Sequence, residues 1–411
     1  MLSIAVMVPS LSATLAYADE DVKQEDVKQL ATIKVTAEAE TSRYSSKKAN
    51  LSGYGTSDIK KIPASLSVVT SERIADQQAK LLTDVVKNDA SVGDGYAPVG
   101  YYPNFVARGF ALNLASSYLI NGNTIRGEQN VALENKEQVE ILKGISAIQS
   151  GITTPGGLVN YVTKRPKEIR SIYVDGDSHG GNTVAVDVGG FIGKQKQVGY
   201  RINLAKEEMH PYVEHSNGKR LFGSLALDWN ISDKSQLQFD IESQRQRQRS
   251  IAGYQLLDGT TVPTNVSWSK RLADESWAKP VTITSLNTSL KYNYFFNNDW
   301  TGSLTASHSQ SKIDDYSAFP YGYYTGVGLG NTFGADGSYD IYDYQSPDDR
   351  RTTNQYKASL NGHFTTGTID HHLTLELSQT NKTQKQYDNI NEWIGTSNIY
   401  TATEYFAGTN K

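Results

Sequence analysis

The chain has 411 residues, 40 Lys plus Arg against 44 Asp plus Glu, a net charge of −4 and a mean hydropathy of −0.49. No stretch of about 20 apolar residues occurs, which excludes membrane-spanning helices, and the slightly acidic balance argues against nucleic acid as a partner. Cysteine is absent, so disulfides, zinc–thiolate sites and cysteine nucleophiles are excluded.

In chain order, residues 2–18 form a short apolar stretch that ends in Ala16-Tyr17-Ala18, followed by Asp19-Glu20-Asp21. Small-x-small after an apolar core reads as an export signal over residues 1–18; a buried N-terminal helix is the alternative. The first basic residue is Lys23, so the charged start of a signal is missing, and the true start is expected upstream of Met1. Residues 19–60 are charged and lack hydrophobic periodicity, which predicts a flexible segment. Within it, Thr32-Ile33-Lys34-Val35-Thr36-Ala37 is a β-prone patch able to add as a strand to a partner's sheet edge.

Residues 61–170 read as a small α+β domain. Ile62–Val69 predicts a strand, and a helix is expected over about 72–88, with Ile74, Leu81, Leu82, Val85 and Val86 on its apolar side. A Gly/Tyr/Pro-rich loop follows from Gly93 to Asn104. Short strands are predicted at Phe105–Phe110 and Ser117–Gly122, and the stretches Val139–Gly144 and Pro155–Pro166 follow them. Aromatic residues number 10 in 1–170 and 31 in 171–411, a shift that sets a boundary near Arg170.

Residues 171–411 alternate with period 2. Leu221, Gly223, Leu225, Leu227, Trp229 and Ile231 share one face; Leu286, Leu290, Tyr292 and Tyr294 another; Leu373, Leu375 and Leu377 a third. About nine strands are expected, near 171–178, 183–192, 198–209, 219–231, 236–248, 282–296, 300–313, 353–365 and 371–386. Short turns at 232–235, 297–299 and 367–370 oppose long polar loops near 243–281 and 311–353. Alternation with aromatic strand ends and asymmetric connections is the layout of an antiparallel transmembrane β-barrel. A soluble sandwich would alternate too, without needing the aromatic ends. A plugged barrel of 22 strands needs far more chain, so the sequence reads as the N-terminal portion of a longer protein, an incomplete barrel.

Three motifs now carry a resemblance. Ile62-Pro63-Ala64-Ser65-Leu66-Ser67-Val68-Val69-Thr70 resembles the first plug strand of TonB-dependent outer-membrane receptors, ferric-siderophore branch. Val106-Ala107-Arg108-Gly109-Phe110 resembles the family's RGF element. Gln138 to Gly144 and Pro155 to Pro166 resemble its VEVLKG and PGGxxNxVTKRP elements. The resemblance makes 61–170 the plug domain, 171–411 the partial barrel and Thr32–Ala37 the TonB box.

It implies import of a ferric siderophore across the outer membrane of a Gram-negative bacterium by a monomer, energised by TonB and its inner-membrane complex. Iron would ride on the siderophore, so no cofactor and no protein metal ligand is expected. His371 and His372 are adjacent on a strand and point to opposite faces. Ligand contacts are expected from Tyr96, Tyr101 and Tyr102, from Arg126 and Gln129, and from Tyr321, Tyr323 and Tyr324. Arg108 and Lys143 match plug cations that the family sets against barrel glutamates, expected on later strands beyond Lys411, with solvated surface charges as the alternative, and Gly109, Gly144, Gly156 and Gly157 suit tight turns. Competing readings are a haem or cobalamin cargo, a truncated transport-incompetent fragment, and a secreted sugar-binding β-protein. No nucleophile–base constellation or phosphate loop suggests an enzyme.

Overall fold

The structure is a computed structural model that describes residues 4–6, 44, 46, 48–50, 57–62, 64–96, 99–144, 154–323, 332–401 and 405–409. It comprises an inner α+β domain and a strand-built wall. The inner domain holds a five-stranded sheet in the order Ser65–Thr70, Lys136–Lys143, Gly157–Thr163, Tyr118–Ile120, Asn123–Thr124. The first three strands are antiparallel, while Tyr118–Ile120 runs parallel to Gly157–Thr163. Val69, Val139, Ile141, Val159 and Tyr161 from this sheet share a core with Ile74, Leu82, Val85 and Val86.

The helix expected over 72–88 is two short ones, α1 (Ser71–Asp76) and α2 (Leu82–Val86). Thr70 caps α1 by accepting from the Arg73 amide. Gln78 then takes a left-handed φ of 53°, which ends the helix. The Asp84 carboxylate accepts from the amides of Lys80 and Leu81, which starts α2. The apolar spacing crosses the break because both helices face one core, so periodicity alone shows no gap. The single strand expected at Phe105–Phe110 is likewise a hairpin, Asn104–Ala107 with Phe110–Ala111, turned by Arg108 at φ 51° and Gly109 at φ 85°.

The wall has ten strands: β1 (Ile169–Gly176), β2 (Asn182–Ile192), β3 (Val198–Met209), β4 (Gly218–Ser232), β5 (Ser235–Gln248), β6 (Val281–Phe295), β7 (Trp300–Tyr321), β8 (Ser338–Thr366), β9 (Ile369–Lys385) and β10 (Ile390–Asn398). Strands β1 to β9 pair antiparallel in sequence order, and β10 pairs with the far end of β8. Among the described residues β1 and β9 do not pair with each other. Ile4–Val6, inside the stretch that reads as an export signal, lies along β1; an open edge accepts a short β-prone segment readily.

All nine expected wall strands are present, and two corrections follow. The loop expected at 311–353 is largely strand, because β7 and β8 continue as a long hairpin. A register shift between Ile313 and Asp315 breaks the alternation there, and the many Asp and Ser residues hide what remains of it. The tenth strand, β10, lacks a signal for the same reason: it pairs only with that extension.

Candidate functional site

The inward residues of the wall strands are polar. Arg201, Asn203, Arg220, Glu242, Gln244, Gln246, Asn287, Ser309, Ser311 and Gln355 are all buried. They meet a segment of the inner domain, residues 122–136, that is itself buried and polar, and together they form a continuous seam. At its centre the Lys136 ammonium is fully buried and donates to Glu242. Asn135 donates to the same carboxylate at 2.8 Å and Asn287 to its other oxygen at 3.2 Å. A buried ammonium without such partners would be costly.

The network extends in both directions. Asn287 donates to Gln129 at 3.0 Å, and Ser309 donates to Asn287 at 2.7 Å while accepting from the Arg126 amide at 3.0 Å. Glu128 sits between Arg126 at 2.9 Å and Arg351 at 2.7 Å. Gln244 donates to the Asn130 carbonyl at 2.5 Å, and Lys357 to the Gly122 carbonyl at 2.8 Å. Arg220 joins Glu134 to Glu207. Burial alone would push the Glu134 carboxyl up; the Arg220 guanidinium overcomes this and holds it below the usual range. Near the first wall strands Lys80 pairs with Asp175 and Lys164 with Asp187, both at 3.2 Å. A cavity of about 240 Å³ bounded by Ala79, Lys80, Glu134, Tyr173 and Asp187 lies beside these pairs.

The residues expected to touch ligand are dispersed. Arg126 and Gln129 are 5% and 3% exposed and belong to the seam, so their polar atoms are directed at the wall and at their own segment. Tyr101 and Tyr102 lie with ring centroids 4.5 Å apart, half-buried on Val281, Ile283 and Ile313. Burial raises the Tyr102 phenol, against the nearby Arg351 charge. Tyr321 and Tyr323 are exposed at the hairpin of β7 and β8, and Tyr321 packs edge-on to Tyr342 at 5.7 Å. Tyr96 closes the strand Val92–Tyr96. Tyr324 and the patch Thr32, Ile33, Lys34, Val35, Thr36 and Ala37 lie outside the described residues.

Arg108 and Lys143 are the cations that the resemblance sets against the barrel. Among the described residues their polar contacts are made within the inner domain. Arg108 donates to Ser65 at 2.8 Å, and Lys143 pairs with Asp89 at 2.8 Å and donates to Ser67 at 3.1 Å. Both sit at the end of the sheet away from Lys136. Burial raises the Asp89 carboxyl, and hydrogen bonds from Lys143, Ser67 and Ser91 more than reverse it, holding Asp89 well below the usual carboxylate range. Among the described residues Lys80, Lys136 and Lys164 reach the wall, together with Arg165, which holds Asp228 and Asp240. Their signal in the sequence is local. Residues 121–138 carry nine Asn, Gln, Glu, Lys or Arg side chains beyond position 125, too polar for a strand core yet flanked by strands, and Gln244-Arg245-Gln246-Arg247-Gln248 marks an inward polar face by alternation.

A profile of the TonB-dependent Receptor Plug Domain family matches residues 58–158. The ferrichrome receptor FcuA of Yersinia enterocolitica is 28% identical over 356 residues, 84% of this chain and 45% of that protein. The ferrichrome outer membrane transporter/phage receptor of Escherichia coli K12 is 24% identical over 82% of this chain and 47% of its own length. The chain thus spans about half the length of these curated relatives. Among solved structures, BauA, the ferric preacinetobactin receptor of Acinetobacter baumannii, superposes with a TM-score of 0.77 at 21% identity, covering 90% of this chain and 55% of that one. The closed form of the ferric-catecholate import receptor Fiu from Escherichia coli K12 gives 0.75 at 19%, covering 89% and 53%.

Proposed function

We propose, from the premise that this chain belongs to the TonB-dependent receptors of the siderophore branch, that it serves to import a ferric siderophore through the outer membrane of a Gram-negative bacterium. The inner domain acts as the plug, and the wall is part of a closed barrel of 22 strands that encloses it. The observation that carries this reading is the seam. A domain held inside a strand wall by hydrogen bonds and ion pairs, with an apolar core of its own, blocks a pore at rest and can shift without unfolding. Water can replace polar seam contacts at small net cost, which an apolar interface of the same size would not allow.

Energy for the shift comes from TonB. It takes the Thr32–Ala37 patch by strand addition, and the chain between that patch and the plug transmits the pull. The cargo is a chelate that brings its own iron, so the protein supplies neither cofactor nor metal ligand and works as a monomer. Tyr101 and Tyr102, stacked on the wall, and Tyr321 and Tyr323 on the hairpin offer aromatic surfaces to the chelate; Tyr96 and Tyr324 are assigned with them. The reading is tested by uptake of radiolabelled ferric ferrichrome in iron-starved cells, with and without the gene for this chain. Uptake that needs both the chain and TonB, and is lost when Ile33 and Val35 are each replaced by Pro, supports it. Uptake that persists without TonB overturns it.

A further inference from the structure

His371 and His372, adjacent on β9, take different partners. His371, on the outward face, stacks on Phe364 at 4.7 Å, and Phe364 stacks in turn on Trp300 at 6.4 Å. His372 points the other way and meets a second imidazole. The register of β8 on β9 sets it directly opposite His363, with ring centroids 4.9 Å apart and planes 35° from parallel. The same face of β8 carries Gln355, which accepts from the Thr124 amide of the plug, and Lys357, which donates to the Gly122 carbonyl. Alternation along a strand keeps residues 355, 357 and 363 on one side, so the two rings lie on the plug-facing side of the wall, at the end that carries the short turns.

Two carboxylates flank His363. Asp299, in the short turn between β6 and β7, stands 3.5 Å from Nδ1, and Asp370, on the same face of β9 as His372, stands 3.7 Å from Nε2. The His363 amide donates to the Asp299 carbonyl at 3.0 Å, which holds that turn beside the ring. A carboxylate facing Nδ1 draws the ring proton to that nitrogen and leaves the Nε2 lone pair free for a metal ion. The His363 side chain is 40% exposed, so an ion reaches it from water. Two imidazoles that bind one ion side by side, with metal–nitrogen bonds of about 2.0–2.1 Å, hold their ring centroids about 5 Å apart. The spacing here already matches that. Among the described residues no three His, Asp or Glu side chains surround one point, so the chelate is the two imidazoles, and water fills the other positions. Imidazole nitrogen suits Zn²⁺, Ni²⁺ and Cu²⁺, whereas Mg²⁺ and Ca²⁺ take oxygen ligands.

We propose that His363 and His372 clasp one divalent metal ion of the Zn²⁺, Ni²⁺ and Cu²⁺ group, with Asp299 as the positioning residue that orients His363. The ion staples β8 to β9 at the plug-facing rim beside the short turns. It is separate from the iron of the cargo, which arrives chelated, and the inference draws nothing from the transport reading.

The test uses the full chain, solubilised in detergent without a polyhistidine tag, stripped with a chelator and dialysed to equilibrium against Zn²⁺ or Mg²⁺. One Zn²⁺ per chain and no Mg²⁺ is the expected result. His363→Gln and His372→Gln should each remove that ion. His371→Gln should keep it, although it alters the neighbouring position on the same strand, which separates a lost ligand from a disturbed strand. Asp299→Asn, which leaves both imidazoles in place, should weaken binding about tenfold. With Cu²⁺ as the probe, paramagnetic resonance should show two coupled nitrogens in the unchanged chain and one in either glutamine variant at 363 or 372. The proposal is overturned if no Zn²⁺ is held, if the ion survives His363→Gln or His372→Gln, or if His371→Gln loses it as completely. Mg²⁺ held as tightly as Zn²⁺ also overturns it, since that places binding on the carboxylates. None of these measurements involves a siderophore, TonB or a membrane, so a failure here leaves the uptake reading untouched, and a failure of uptake leaves this site untouched.

Discussion

Inside the plug, Val69, Ile74, Val85, Val139, Ile141 and Val159 pack in one apolar core; one layer outward, the same domain meets the wall through Glu128, Asn130, Glu134 and Lys136. The two layers differ in what opening them costs. Separating the core exposes apolar area to water, with nothing gained in return. Separating the seam exchanges protein hydrogen bonds for water hydrogen bonds, a small net change per bond. A force applied to the domain therefore meets its weaker boundary at the seam, and the domain leaves the wall before it loses its own fold. The exception within the seam is any buried charge that separation or mutation leaves without its partner.

That exception gives the largest expected effect. Glu242→Ala removes the carboxylate that holds the fully buried Lys136 ammonium, and should destabilise docking of the plug by about 3–5 kcal/mol. Limited proteolysis of the detergent-solubilised chain, read at the plug, measures it. Changing both partners, Lys136→Met with Glu242→Leu, should restore most of the loss, because an apolar pair of similar volume leaves no unpaired charge. If the double change is as damaging as the single one, the seam depends on the charges themselves and the contrast with the core fails.

The core side of the comparison is tested by Ile141→Ala. Ile141 is 1% exposed in the middle of the five-stranded sheet, and truncation should cost about 2–5 kcal/mol of plug stability through lost burial and a cavity. Denaturant unfolding of the plug reports this, while the susceptibility of the seam at zero denaturant should change little. A smaller loss is expected at the hairpin turn. Gly109 holds φ 85° with no atom within 4 Å of an added Cβ, so Gly109→Ala meets only the backbone penalty, about 1–2 kcal/mol. Gly157 differs, since a Cβ there would collide with the Leu142 carbonyl. Thermal unfolding of the two alanine variants should rank Gly157→Ala as the more damaging.

The sequence makes the wall readable because lipid on one side and polar seam on the other impose strict alternation. Leu221, Leu225 and Trp229 against Arg220, Ser224 and Asp228 mark β4 plainly. Where one solvent is lost, the pattern is lost too: the upper parts of β7 and β8 stand beyond any apolar band, and their strand character comes from pairing with each other and with β10. The plug motifs place its strands, but partners across the seam are another matter. Lys136 meets Glu242 across 106 residues of chain, and nothing local in either segment names the other. Arg108 and Lys143 illustrate the reverse case, since a motif fixes their identity and leaves their contacts open. Lys143 takes Asp89 because both lie at the same end of the sheet.

The smallest effect concerns a carboxyl that belongs to neither layer cleanly. Glu140 is fully buried in the plug sheet and accepts from Gln138 at 2.6 Å, from Asn160 at 2.8 Å, and from the amide of Asn50 at 2.5 Å. Asn50 lies on the stretch that precedes the plug strands, so this carboxyl ties that stretch to the core. Burial pushes the Glu140 pKa above its ordinary 4.5, against the pull of the three hydrogen bonds. An acid whose folded pKa is raised contributes stability that is fully present below 4.5 and is lost as pH rises through the higher folded value. The plug should therefore weaken slightly across that window, and Glu140→Gln should flatten the slope while weakening the hold on Asn50, because an amide has one oxygen to offer where the carboxylate has two. Hydrogen exchange at the Asn50 amide, followed from pH 4 upward in both forms, reads the two effects separately. Faster exchange in the variant with an unchanged pH slope would place the titrating group elsewhere and leave Glu140 as a tether only.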